Sequence, residues 1–206
     1  MAVQDLFSPL SREEVIKAVE RRNPKRIPLV QTRWWGEGLV EQYGNRLDAL
    51  DCYPEDAGFL WIDLSNYAEW NLPWEIQLDG AYDSRRILPD WGLLDEFIAC
   101  MPDPETDPRF DALKIQAEQA HAQNRYVLYA CWRLFFAWPW EIRCMDSLIL
   151  DFFEHPEQVH RLIQALSDLY LAYLRRAVRE LQPDGYWTSD DLGHQRQLFM
   201  SPKMFR

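Results

Sequence analysis

The stretch HPEQVHRLIQALSDLYLAYLRRAVRELQPDGYWTS (155–189) decides the fold class of this chain. Pro156 suits the first turn of a helix, because the first helical residue has no partner for its N–H group. Apolar residues then recur every three or four positions as far as Leu181, which is the spacing of one helix face. Gln182-Pro183-Asp184 ends this helix, and GYWTS (185–189) reads as a strand. The stretch therefore predicts a long helix that leads directly into a strand.

The same alternation extends toward the N-terminus. Buried strands are predicted at 27–32, 58–63 and 126–132, and helices at 12–22, 38–50, 109–124 and 138–153. A capping box formed by Ser11 and Glu14 is expected to start the first helix. Segment 70–108 interrupts the alternation with an expected hairpin at 74–88, which turns at Asp79-Gly80, and a proline-rich linker.

This order of elements predicts an α/β fold with a parallel sheet and crossover helices. Four such units make up the N-terminal half or more of a (β/α)₈ barrel, which typically takes about 250 residues. The chain has 206 residues, so we expect one partial barrel domain over 1–206 that is truncated and inactive by itself.

Composition excludes several classes of function. The net charge of −11 argues against a nucleic-acid partner and against an anionic membrane surface. No apolar run reaches the roughly 20 residues of a membrane span, and the first residues lack the apolar core of a secretory signal. The four cysteines show no paired-ligand spacing, which is typical of reduced thiols in a cytoplasmic protein.

Ten tryptophans are the unusual feature of the composition. Core packing is one interpretation of them. The other is a flat pocket lined by aromatic side chains, since ligand sites usually combine apolar walls with a few polar groups.

Active sites of (β/α) barrels lie at the carboxyl ends of the strands, which here points to Thr32 and Arg33, Asp63, the segment 131–133 and the segment 189–191. Asp63 has two interpretations: a cap for the next helix, or a partly desolvated carboxylate that transfers a proton.

The two acids that follow the last strand have different expected roles. Asp190 and Asp191 are adjacent and therefore point in opposite directions, so one is expected to face the site and the other to fix the loop. His194 is either a proton carrier and substrate contact or a solvated loop residue.

Three stretches resemble the uroporphyrinogen decarboxylase superfamily, which also contains corrinoid-linked methyltransferases. SREEVIKAVERRNPKRIPLV (11–30) resembles the family's opening helix and first strand. EIRCMDSLILDFFEHPEQVHRLIQAL (141–166) resembles its helix pair after the third strand, and PDGYWTSDDLGHQRQLFMSPKMFR (183–206) resembles its fourth strand and the following loop. The resemblance implies the N-terminal portion of a barrel enzyme.

The resemblance also implies site residues. Asp63 matches the family's essential acid, and Asp191 is the second expected catalytic acid. The expected substrate-binding residues are Arg33, Trp34, Trp140, Asp190 and His194. The decarboxylases grip substrate carboxylates with two arginines after the first strand, whereas this chain has Gln31-Thr32-Arg33-Trp34-Trp35 there. A single guanidinium beside two indoles does not replace that grip, which favours the methyltransferase-like branch.

Three functions follow as hypotheses. The first is methyl transfer with a corrinoid or related methyl donor, and the second is uroporphyrinogen III decarboxylation in tetrapyrrole biosynthesis. The third is a non-catalytic binding or scaffold homologue. The partner is a small molecule, tetrapyrrole-related or a methyl donor, with a corrinoid protein as a further possibility. No metal ligands are expected in 1–206, and the resemblance assigns zinc and a corrinoid only to the full-length protein.

Overall fold

A computed structural model describes residues 8–30, 39–44, 55–76 and 84–205. The strands are β1 (Ala57–Ile62), β2 (Tyr126–Cys131) and β3 (Gly185–Thr188). The helices are α1 (Arg12–Val19), α2 (Leu39–Tyr43), α3 (Leu94–Ala99), α4 (Arg109–Ala122), α5 (Ala137–Arg143), α6 (Met145–Glu154), α7 (Pro156–Leu181) and α8 (Pro202–Phe205). Short 3₁₀ turns lie at Tyr67–Glu69 and Trp91–Leu93.

The three strands form one parallel sheet in the order β1-β2-β3. This confirms the predicted α/β class, and the three strands lie within one residue of their predicted bounds. Ile62 pairs with Cys131, and Cys131 pairs with Thr188, so the carboxyl ends of all three strands meet at one edge.

Helices cover one face of this sheet. Leu60 and Ile62 of β1, and Val127 and Tyr129 of β2, are buried in the main core with side chains of α4 and α7. The apolar stripe predicted for α7 is largely confirmed, although Val178 is 58% exposed. Within the described ranges, no helix combines the length and apolar character that a bilayer crossing requires.

The predicted strand at 27–32 is wrong for its described part, 27–30. This segment has no strand geometry, and Ile27 is 83% exposed. Proline at position 28 has no N–H group to donate. The Leu29 N–H donates to the side chain of Asp56 (2.6 Å) instead of to a neighbouring strand. Among the described residues, one backbone bond, from Asp56 N to Leu29 O (2.9 Å), joins the segment to the start of β1.

The expected capping box is also absent. Ser11 makes no side-chain bond at the start of α1. Glu14 instead accepts from Lys17 Nζ (2.8 Å) and from the backbone N–H of Lys25 (2.9 Å). Glu14 therefore fastens the turn that follows α1, which ends at Val19 and not at Arg22.

The helix predicted at 138–153 is two helices. Cys144 has φ 70° and ψ 137°, which no helix accommodates, so α5 ends at Arg143 and α6 begins at Met145. The buried Arg143 side chain accounts for this break, because it donates to Leu88 O (2.6 Å) and to Asp151 (2.9 Å).

Two other predictions lie partly outside the described residues. Helix α2 covers 39–43 of the predicted 38–50, and residues 45–50 are not described. The turn at Asp79-Gly80 of the predicted hairpin also lies outside the described part of the chain. Beyond it, the backbone N–H groups of Ile87 and Leu88 both donate to Ile142 O (2.9 Å each).

Candidate functional site at the carboxyl edge of the sheet

Parallel pairing brings the strand ends predicted to carry function to the same edge. Asp63 follows β1, Trp132 and Arg133 follow β2, and Ser189 follows β3. Because Ile62, Cys131 and Thr188 are in register, these following residues are neighbours. This is the edge at which parallel α/β sheets place their ligands.

Asp63 is exposed, and local hydrogen bonds orient its carboxylate. Ser65 donates to Asp63 Oδ1 both its backbone N–H (2.8 Å) and its hydroxyl (2.7 Å). The Arg109 guanidinium donates to the Asp63 main-chain oxygen. Asp63 therefore caps its own turn and does not start a helix, while its side chain stays open to solvent.

A buried ion pair lies next to this turn. Arg133 Nη1 contacts Glu141 Oε2 at 2.6 Å, and their side chains are 14% and 2% exposed. The same Arg133 nitrogen donates to the Ser65 hydroxyl at 2.6 Å. Arg133 thus connects a buried carboxylate to the serine that orients Asp63.

The hydrogen bonds continue into the core on the other side of Glu141. The Tyr67 hydroxyl donates to Glu141 Oε2 (3.2 Å), and Trp138 Nε1 donates to the Tyr67 oxygen (3.0 Å). Arg85 Nη1 lies 3.5 Å from Glu141 Oε1. We call this set, from Trp138 through Glu141 and Arg133 to Asp63, the carboxyl-edge network.

Burial governs protonation inside the network. Burial raises the pKa of Glu141, and the Arg133 guanidinium offsets part of that rise. Burial and the charge of Glu141 raise the pKa of Tyr67 well above its usual value, so this hydroxyl stays a hydrogen-bond donor. Burial likewise raises the pKa of Cys131 to about 12, which keeps this neighbouring thiol protonated and unreactive.

The backbone at Arg133 is adapted to this arrangement. Its φ is 65°, in the left-handed region that costs a residue with a side chain roughly 1–2 kcal/mol. The chain turns there immediately after β2. Such outliers occur where the surrounding structure holds them and are frequent in functional sites.

Asp190 fixes a loop. Its carboxylate accepts the backbone N–H groups of Phe135 (2.9 Å), Phe136 (3.1 Å) and Ala137 (2.8 Å), at the start of α5. Donors of helix α5 and the preceding turn therefore occupy both carboxylate oxygens, so Asp190 ties β3 to the segment after β2.

The other predicted site residues are dispersed. Asp191 and His194 are exposed beyond β3, and His194 Nδ1 accepts from Arg196 N (3.3 Å). Trp140 is partly buried against the rings of Phe136 and Phe199, with centroids 5.3 and 6.1 Å away. Arg33 and Trp34 lie outside the described residues.

Four aromatic rings lie together on the sheet face opposite the main core. Phe59 stacks on Trp61 (centroids 5.5 Å apart, planes at 17°), and Trp132 stacks on Trp187 (5.5 Å, 30°). The two pairs meet where Trp61 and Trp187 approach to 5.1 Å with their planes at 67°. We call these four residues the aromatic corner, in which Trp61 and Trp132 remain 41% and 48% exposed.

Zinc does not fit the part of the chain that the structure describes. No group of three or more histidine, cysteine or acidic side chains converges there as metal ligands would.

Neither a family model, nor a curated protein, nor a solved structure matches this chain. Sequence patterns do not single out Ser65, Tyr67 or Glu141. Arg133 is different, because it lies at the carboxyl end of a predicted strand, where barrel active sites are found. The one available signal is that Glu141 is the single charged residue in the apolar run LFFAWPWEI (134–142).

Proposed function

We propose that this chain forms part of an enzyme of the uroporphyrinogen decarboxylase superfamily, in its methyltransferase-like branch, acting with a corrinoid or related methyl donor. The observation that supports this is the solvent-open Asp63 carboxylate at the carboxyl edge, oriented by Ser65 and next to the buried Arg133–Glu141 pair. In this proposal the three strands belong to a (β/α)₈ barrel whose mouth is that edge.

In the proposed reaction a thiol or amine acceptor attacks the methyl group of the donor. The new bond joins the acceptor to the methyl carbon, the donor retains the electrons of the broken bond, and the acceptor loses one proton. Asp63 takes that proton, since it is accessible and its Oδ1 is already oriented by two donors. Asp191, exposed beyond β3, is the second candidate acid.

The charges at the edge support methyl transfer over decarboxylation. A porphyrinogen with up to eight carboxylates requires several available cations. Arg133 is held by Glu141, and Arg109 is held by Asp107 at 2.6 Å. These described guanidinium groups are therefore engaged by the protein's own carboxylates.

Uroporphyrinogen decarboxylation is the second candidate. The exposed carboxylate of Asp63 favours it, since it is open to a pyrrole nitrogen, and the resemblance aligns Asp63 with the family's essential acid. A non-catalytic binding homologue is the third candidate, supported by the exposed rings of the aromatic corner.

Two activity assays test this proposal. Methyl transfer from methylcobalamin to a small thiol is followed by the corrinoid absorbance, and uroporphyrinogen III turnover by separation of its products. We expect activity in the first assay, and Asp63→Asn should lower it about 100-fold or more. Asp146→Asn, an exposed acid on α6, is the matched control and should leave the rate unchanged.

Each contrary result has a definite meaning. Porphyrinogen turnover without methyl transfer would establish the second candidate. If the wild type shows neither activity, the third candidate, a non-catalytic binding homologue, is favoured. An Asp63→Asn protein with unchanged turnover would reduce Asp63 to a structural residue of its turn.

A further inference from the structure

Two guanidinium groups hold the turn that carries Asp63, at two different points. Arg133 Nη1 donates to the Ser65 hydroxyl (2.6 Å), which in turn donates to Asp63 Oδ1 (2.7 Å). Arg109 Nη1 donates to the main-chain oxygen of Asp63 (2.5 Å). This oxygen comes directly after Ile62, the last residue of β1 that pairs with β2. Arg133 therefore holds a side chain of the turn, and Arg109 holds its main chain.

Arg109 is itself held by a buried carboxylate. Asp107, whose side chain is 4% exposed, accepts from Arg109 Nε (3.0 Å to each oxygen) and from Arg109 Nη2 (2.6 Å). The Tyr173 hydroxyl, on α7, also donates to Asp107 Oδ2 (2.6 Å). A tyrosine, a buried carboxylate and an arginine thus support the turn here, as they do in the carboxyl-edge network.

The bonds of Arg109 depend on the shape of its guanidinium group. Nε and Nη2 donate to Asp107, whereas Nη1 donates to Asp63 O. A planar guanidinium can donate in two directions at once, but the ammonium group of lysine is a compact point charge. Arg109→Lys can therefore keep the ion pair with Asp107 while it loses the bond to Asp63. A role limited to the start of α4 would need only the ion pair.

We propose that Arg109 is a positioning residue, which holds the main chain of Asp63 so that its carboxylate keeps one orientation at the carboxyl edge. The orientation depends on the main chain because Ser65, two residues further on, donates both of its bonds to Asp63 Oδ1. That the oriented carboxylate accepts a proton rests on the proposed function, whereas its positioning does not.

The first test needs no substrate. The Ser65 N–H donates to Asp63 Oδ1 (2.8 Å), so its exchange with water, measured by NMR on the 206-residue chain, reports whether the turn is closed. We expect Arg109→Lys to speed this exchange about tenfold and to leave the amides of the central strand β2 unchanged. The control is Arg161→Lys, which alters an exposed pair with Asp95 and should change neither.

The second test uses the activity assays of the proposed function. Arg109→Lys should lower kcat about tenfold or more and leave KM nearly unchanged, because a misplaced acceptor slows proton transfer without removing a substrate contact. In an Asp63→Asn protein the same change should cause no further loss, since a residue that acts through Asp63 then has no carboxylate to position.

The outcomes separate this inference from the proposed function. Unchanged Ser65 exchange in Arg109→Lys, or an equal rise in the β2 amides, would overturn the inference and leave Arg109 as a residue of the fold alone. A further tenfold loss of kcat in the Asp63→Asn protein would also overturn it, although the proposed function would stand. Faster Ser65 exchange in a protein with neither activity would support the inference and refute the proposed function.

Discussion

Removing the charge of Glu141 tests the carboxyl-edge network most directly. In Glu141→Gln, the partly buried Arg133 guanidinium, with its side chain 14% exposed, loses the carboxylate at 2.6 Å. Breaking a buried pair by removing one partner typically costs about 3–5 kcal/mol. Arg133 keeps its bond to Ser65, and the new amide can still accept one hydrogen bond, so we expect about 3 kcal/mol.

The assay is urea unfolding monitored by far-UV circular dichroism. The unfolding free energies of wild type and variant are compared with the same m-value, the slope of free energy against urea concentration. A loss of 3 kcal/mol corresponds to a melting temperature about 6–12 °C lower for a chain of this size. The control is Asp95→Asn, which removes a surface pair with Arg161 whose side chains are 80% and 55% exposed. That change should cost less than about 1 kcal/mol.

A double variant measures the effect of removing both partners of the Arg133–Glu141 pair. Glu141→Leu combined with Arg133→Met removes both charges of the pair, so neither partner is left alone, while Arg85, whose Nη1 lies 3.5 Å from Glu141 Oε1 in the wild type, keeps its charge. We expect this double variant to be at least as stable as Glu141→Gln, and comparison with the single variants Glu141→Leu and Arg133→Met completes a double-mutant cycle that measures the coupling of the pair. The reasoning is refuted if Glu141→Gln costs no more than Asp95→Asn.

Three further results are expected elsewhere. Asp190→Ala removes the cap of α5 and should cost about 1–2 kcal/mol by urea unfolding, while Asp190→Asn should cost less. Burial would raise the pKa of Asp56, but bonds from Arg26 and two backbone donors outweigh it and hold the pKa below its usual value. Stability from Asp56 is therefore complete above about pH 4 and lost as the pH falls through the folded-state pKa, and Asp56→Asn should flatten that loss in unfolding curves from pH 5 to 2. Cys131, whose pKa burial raises to about 12, should be alkylated far more slowly than the partly exposed Cys100, as measured by mass spectrometry of the native chain.

The strands could be predicted because their sequences are apolar on both faces. Runs such as YVLYAC (126–131) match a parallel strand covered on both sides, and the long apolar stripe of α7 identifies its buried face. The segment at 27–30 has the same composition but no strand geometry. There the Asp56 carboxylate, 26 residues beyond Val30, accepts the Leu29 N–H, which is then not available to donate to a neighbouring strand.

The candidate site was predictable only where it depends on strand ends. Barrel active sites lie at the carboxyl ends of strands, and this rule locates Asp63 and Arg133, because parallel pairing brings those strand ends to one edge of the sheet. It does not locate Glu141, because Glu141 lies one turn inside a helix and joins Tyr67 across 74 residues of sequence. Contacts of this kind are determined by helix packing, which periodicity does not encode.

The carboxyl-edge network explains how an exposed carboxylate can be held in place. A solvent-facing Asp on a turn normally samples several rotamers, and ordering it costs conformational entropy. Here Ser65 is held by Arg133, and Arg133 is held by a carboxylate that Tyr67 also contacts from the core. The positional order of Asp63 thus derives from buried groups, although Asp63 itself contacts water. In the proposed function Asp63 is the proton acceptor, and this arrangement would supply an acceptor that is both accessible and oriented.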